Sequence, residues 1–166
     1  PAGELAEQNA ELALKELRSR DDEAALAEAE ALMNDAGRAD LIVRVRWSGN
    51  ADVDLYVHEP GGTVTSSILG PSAGGGVLVR DGFGPSRETA VEEYRAPRGF
   101  SGVYLLDFGL TTGEPVGQRV RVEVVRHFGS PSESREEFTV PLTAEHPPTF
   151  ITLHGGRRIS AATVDA

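Results

Sequence analysis

Asp52 and Asp54, two residues apart in the run Ala51-Asp-Val-Asp-Leu-Tyr-Val57, are the residues of this 166-residue chain whose type and spacing most directly suggest chemistry. Side chains two apart on a strand share a face, so both carboxylates point one way and repel each other. Solvent, backbone N–H groups or a divalent cation would relieve them. Calcium suits such a cluster, taking about six to eight oxygens at roughly 2.3–2.6 Å. Asp81, in the turn Asp81-Gly-Phe-Gly-Pro85, is the expected third ligand, with Glu92 or Glu93 the nearest acids to complete the shell. The twelve-residue EF-hand loop is absent, so the expectation is a weak calcium site on Asp52, Asp54 and Asp81. The alternative is that these carboxylates accept backbone hydrogen bonds and shape the turn after Trp47.

Other chemistries find less to work with. Paired carboxylates could serve a glycosidase as acid and base, but a hydrolase cleft also gathers aromatic and polar groups. This chain has one Trp, three Tyr and six Phe, several at alternating positions that suit a core. Trp47 shares the face of Val43 and Val45 and is expected inside, which withholds it from a sugar platform. His58, His127, His146 and His154 show no ligand spacing, so solvated strand-end positions are expected. No Gly-x-Ser-x-Gly elbow surrounds Ser101, which sits in a turn-forming Phe-Ser-Gly. Gly74–Gly76 lacks the Gly-Lys-Ser/Thr tail of a phosphate loop and is expected to serve a bend or close backbone contact. With no cysteine, disulfide staples and Cys-ligated zinc are excluded. The expectation is a chain without catalytic residues.

The elements that would position these residues fall into two unlike pieces. Residues 1–40 hold 11 acidic and 4 basic side chains, a net charge of -7 (4 - 11), against -10 for the whole chain. From Glu4 to Ala36 there is no proline, and Ala, Leu and Glu recur until Gly37 supplies a C-terminal stop. That predicts a helical segment, a hairpin or kinked pair with its break near Asp21 or Asp22. Its thin stripe of Leu5, Leu12, Leu14, Leu17, Leu26 and Met33 needs a partner surface. After Asp40 the period becomes two. Leu41, Val43, Val45 and Trp47 alternate with Ile42, Arg44 and Arg46, and Val53, Leu55 and Val57 alternate with Asp52, Asp54 and Tyr56. Further strands are expected at 63–68, 76–79, 90–94, 103–110, 119–128, 136–142, 149–154 and 157–161, separated by clusters drawn from 19 Gly and 10 Pro. The prediction is a mainly β chain: an antiparallel, jelly-roll-like β-sandwich over 41–166, behind an acidic α-helical segment over 1–40.

Charge and length bound the partners. An acidic chain with a sequence pI of about 4.8 opposes attraction to phosphate backbones, so no nucleic acid is expected. No apolar run approaches the roughly 20 residues of a membrane span. Pro1, standing where an initiator Met would, leads us to expect a processed or excised piece. Uncovered outer strands invite pairing between copies.

The stretch Trp47-Ser-Gly-Asn-Ala-Asp52-Val-Asp54-Leu-Tyr-Val-His-Glu-Pro60-Gly-Gly62 resembles the YfaP-like family of bacterial domains, whose pattern is a strand ending in Trp, then Asp-x-Asp-Leu-x-Val and Pro-x-Gly. Gly82-Phe-Gly-Pro85, and Ala96-Pro-Arg-Gly99 with the strand after it, extend the likeness over roughly residues 41 to 128. Asp52-Val-Asp54-Leu-Tyr-Val57 is also similar to prepeptidase C-terminal domains, secreted β-sandwich modules that assist binding. The sequence departs from the YfaP-like pattern in its single Asp81 and in Ser86 after Pro85. The resemblance implies a compact β-sandwich in an exported or surface protein, without established catalytic activity. The expected function is therefore a noncatalytic interaction or structural module of an exported or cell-surface bacterial protein, a subunit of a surface assembly engaging a protein partner or a second copy. The alternative is a carbohydrate-binding module assisted by calcium.

Overall fold

The computed structural model describes residues 35–82, 90–143 and 148–160, with single helical positions at Lys15, Ala27 and Ala31. The chain divides into two compact units, Pro1–Arg38 and Ala39–Ala166. Most of the expected helical segment lies outside the described residues, as do residues 83–89, His146 and residues 161–166. In the first unit Gly37 forms a turn after helical Asp35 and Ala36, and the Arg38 N–H donates to the Asp35 carbonyl at 3.1 Å. No helix among the described residues is long and apolar enough to cross a membrane.

The second unit is built of nine described strands. These are β1 (Ala39–Trp47), β2 (Ala51–His58), β3 (Val64–Thr65), β4 (Val77–Arg80), β5 (Ala90–Ala96), β6 (Gly102–Gly113), β7 (Arg119–Phe128), β8 (Ser134–Pro141) and β9 (Thr149–Leu153). They form two antiparallel sheets, five-stranded in the order β4-β5-β1-β7-β8 and four-stranded in the order β3-β2-β6-β9. The mainly β, two-sheet sandwich expected from the alternation is what the chain adopts.

The alternation has a direct packing outcome. Val53, Leu55 and Val57 of β2 and Tyr104, Leu106 and Phe108 of β6 face Leu41, Val43, Val45 and Trp47 of β1 and Val120, Val122 and Val124 of β7 in one core. Burying a Val or Leu side chain contributes about 1.5–3 kcal/mol, so this core is the main source of stability. Trp47 is 3% exposed and its Nε1 donates to the Ala51 carbonyl at 2.9 Å, a core ring with its polar atom satisfied. Ala39, Ile42 and Val125 make a second, smaller cluster with Phe128.

Two strand expectations need correction. The strand expected over 63–68 shrinks to Val64–Thr65, because the chain turns away at Ser66 to carry the Gly-rich excursion. Of the strand expected over 157–161, the described residues 157–160 form none; Arg158 makes an isolated bridge to Phe100. In β4 the register slips between Leu78 and Arg80, leaving Val79 as the unmatched residue of a bulge.

Candidate functional site

The short β3 decides the surroundings of the acids. It pairs only with Val57 and His58 of β2, so the edge of β2 at Leu55 lacks a neighbouring strand. Glu92 fills that place. It reaches from β5 of the five-stranded sheet, 1% exposed, and its Oε2 accepts the Leu55 N–H at 2.6 Å. Glu93, its chain neighbour, must point to the opposite face. There it pairs with Arg44 at 2.7 Å, which removes it from the candidate shell.

Asp81 is delivered to Glu92 by a glycine. A Cβ at Gly82 would lie 2.6 Å from the Val91 carbonyl oxygen, so only glycine lets the chain after β4 run this close to β5. Asp81 hydrogen-bonds Glu92, and the charges of Asp81 and Asp54 both act on it. Burial above all, then the Asp81 hydrogen bond and these charges, push the Glu92 carboxyl up to about 9, against the opposing pull of the Leu55 N–H. Burial and the neighbouring Asp81 therefore favour the protonated form of Glu92 at neutral pH. Asp52 is also held above the usual carboxylate range, by burial first and then by Asp54 and Asp81. Asp54 accepts the Thr111 hydroxyl across the bulge where β2 and β6 slip register after Asp52.

The structure thus brings Asp52, Asp54, Asp81 and Glu92 into one electrostatic cluster. Among the described residues no group of three or more His or acidic side chains is arranged to hold a metal ion. A proton on Glu92 relieves part of the repulsion that calcium was invoked to relieve.

A second buried acid has no signal in its sequence spacing. Glu59, immediately after β2, accepts hydrogen bonds from the hydroxyls of Thr63 (2.5 Å), Thr65 (3.3 Å), Ser72 (2.8 Å) and Tyr94 (2.7 Å). The glycine run closes over it. A Cβ on Gly74 would lie 1.6 Å from Glu59 Oε2, and one on Gly76 would lie 2.1 Å from Oε1, so the close-contact reading of Gly74–Gly76 holds. Asp40 is spent in the same way: it accepts the Gly99 N–H at 2.9 Å and the Arg157 N–H at 2.7 Å, and pairs with Arg157 Nε at 2.6 Å.

The remaining candidates separate. His58 ends β2, His127 lies near the end of β7 and His154 follows β9, so the described histidines sit at strand ends. Ser101 Oγ accepts the Gly156 N–H at 2.8 Å, a turn-fastening role. Compared with known proteins, the chain matches no family model, no curated protein and no solved structure.

Proposed function

We propose that this chain is a noncatalytic interaction module of an exported or cell-surface bacterial protein, a structural part of a surface assembly that docks by strand addition at β9. The observation that carries this reading is the difference among the sheet edges. β8 bears Arg135, Glu136, Glu137 and Pro141, β4 is bulged at Val79, and β3 is two residues long. These are devices that discourage pairing. β9 has none of them: Thr149-Phe-Ile-Thr-Leu153 is uncharged, and Phe150 is 60% exposed beside exposed Val103.

Hydrogen-bond parity shows which β9 groups face outward. The Glu59 N–H donates to the Thr63 carbonyl on the β3 side of β2. Alternation then turns His58 toward its β6 partner Leu105, and Ile151 toward Tyr104. Phe150 and Thr152 consequently direct their backbone groups away from β6. The Thr152 carbonyl is taken by Arg126 Nε at 2.8 Å, which leaves both N–H groups and the Phe150 carbonyl as a template. A second copy fits antiparallel in the register centred on Phe150. That register opposes Thr152 to Pro148, which has no N–H to offer the carbonyl Arg126 already holds.

The internal use of Glu59, Glu92 and Asp40 supports the noncatalytic part, and the YfaP-like resemblance supports export. The strand order, with successive strands β1 and β2 in different sheets, supports a jelly-roll-like topology, and composition supports helix over residues 4–36. Calcium belongs to this reading as an accessory ion on Asp52, Asp54 and Asp81, in competition with the Glu92 proton.

Sedimentation velocity tests the docking. Reversible self-association is expected with a dissociation constant on the order of 10⁻⁵–10⁻⁴ M, abolished by Phe150→Lys. A wild-type chain that stays monomeric at millimolar concentration overturns it. Binding of neutral glycans lost in the same variant would favour the carbohydrate alternative, with Phe150 as the platform.

A further inference from the structure

The opposite sheet carries a surface of different chemistry. At the Trp47 end of the five-stranded sheet lies an open depression of about 540 Å³, lined by Arg46, Trp47, Val116, Arg119, Arg121 and Thr139. Among the described residues no acidic side chain lines it. We propose that this depression binds carboxylates, and that its partner is an acidic peptide segment.

The cations there are crowded and short of counter-charge. Register sets Arg46 directly opposite Arg121 on neighbouring strands, and Arg119 shares the Arg121 face two residues away. Like charges placed this way destabilise a sheet unless an anion sits between them. The available carboxylates are already divided. Glu123 serves Arg44 at 3.3 Å, Arg46 at 3.1 Å and Arg135 at 3.4 Å. Glu137 approaches Arg121 at 3.4 Å with both side chains more than half exposed, a pair of little strength. The Arg119 side chain makes no hydrogen bond or ion pair among the described residues.

Guanidinium forks match carboxylates two bonds at a time, so three on one face suit a chain of carboxylates better than a single ion. Val116, 66% exposed on the rim, adds an apolar contact. Trp47 offers no open ring face, which favours a peptide over a stacked sugar. The overall negative charge is no barrier, because screening beyond about 8 Å at physiological salt leaves the local arginines in control.

The test uses the full chain and a fluorescent hepta-glutamate peptide, followed by anisotropy. Saturable binding is expected near a dissociation constant of about 10⁻⁴ M, lost in about 0.5 M salt and against hepta-glutamine. The double variant Arg119→Ala/Arg121→Ala should weaken it about tenfold or more with no fall in melting temperature, since both side chains are exposed and their removal relieves the repulsion with Arg46. Unaltered binding by that variant, or no saturation by the wild type, overturns the proposal. An oligogalacturonate that binds where the peptide does not overturns the peptide partner. Phe150→Lys should leave peptide binding intact, so failure here and failure of strand docking are read separately.

Discussion

Two side chains of opposite character reach across from the five-stranded sheet to backbone groups on the two sides of the four-stranded one. At β2, Glu92 accepts the Leu55 N–H from a buried position. At β9, Arg126 donates to the Thr152 carbonyl while also pairing with Glu136 at 3.0 Å, and that glutamate is more than half exposed. The first cap is a titratable acid kept neutral by its surroundings, and the second is a guanidinium that stays charged at any ordinary pH. Sealing an edge from inside makes stability depend on pH; sealing it from the rim leaves room for another strand.

Removing the inner cap should produce the largest effect. Glu92→Ala leaves the Leu55 N–H unpaired and opens a cavity, costing about 3–5 kcal/mol at pH 5 by chemical denaturation. A loss below about 1 kcal/mol would mean that water replaces the carboxyl, and the contrast between the edges would fail.

Glu92→Gln sharpens the same contrast. Burial pushes the Glu92 carboxyl up to about 9 from the ordinary glutamate value of 4.5, so between those limits the native state holds the extra proton. Its stability contribution is complete below 4.5 and is lost as pH rises toward 9, by up to about 1.4 kcal/mol per unit. The amide still accepts from Leu55 and donates to Asp81. The variant should match wild type near pH 4, exceed it by a few kcal/mol near pH 9, and flatten the melting profile between. Parallel profiles would show that Glu92 is ionised.

The outer cap should matter less. Arg126→Ala is expected to cost about 1–2 kcal/mol, equally at pH 5 and pH 9. A pH-dependent loss would erase the distinction between the two caps. The smallest effect belongs to calcium. If calcium occupies the proposed site it competes with the Glu92 proton, and millimolar calcium should then raise the melting temperature by a few degrees at most, more at pH 9 than at pH 6, and not in Asp54→Ala. An equal shift at both pH values would place the ion away from Glu92.

What the sequence determined by itself was local periodicity and its faces. Alternation marked β1, β2 and β7, the last with its observed bounds, and put Trp47 in the core because Val43 and Val45 share its face. The same two-residue rule joined Asp52 to Asp54, and the Asp81-Gly82 turn pointed to the third acid. Alternation is blind to what lies beside a strand. It could not choose Glu92 over Glu93, since both are acids one position apart, and the choice follows from which face of β5 turns inward at the uncovered edge of β2. It gave no notice of Glu59, whose hydroxyl donors come from Thr63, Thr65, Ser72 and Tyr94, nor of Arg126 reaching Thr152. Those partners are set by sheet order and by the length of β3, which depend on contacts between distant segments, and only the folded chain decides them.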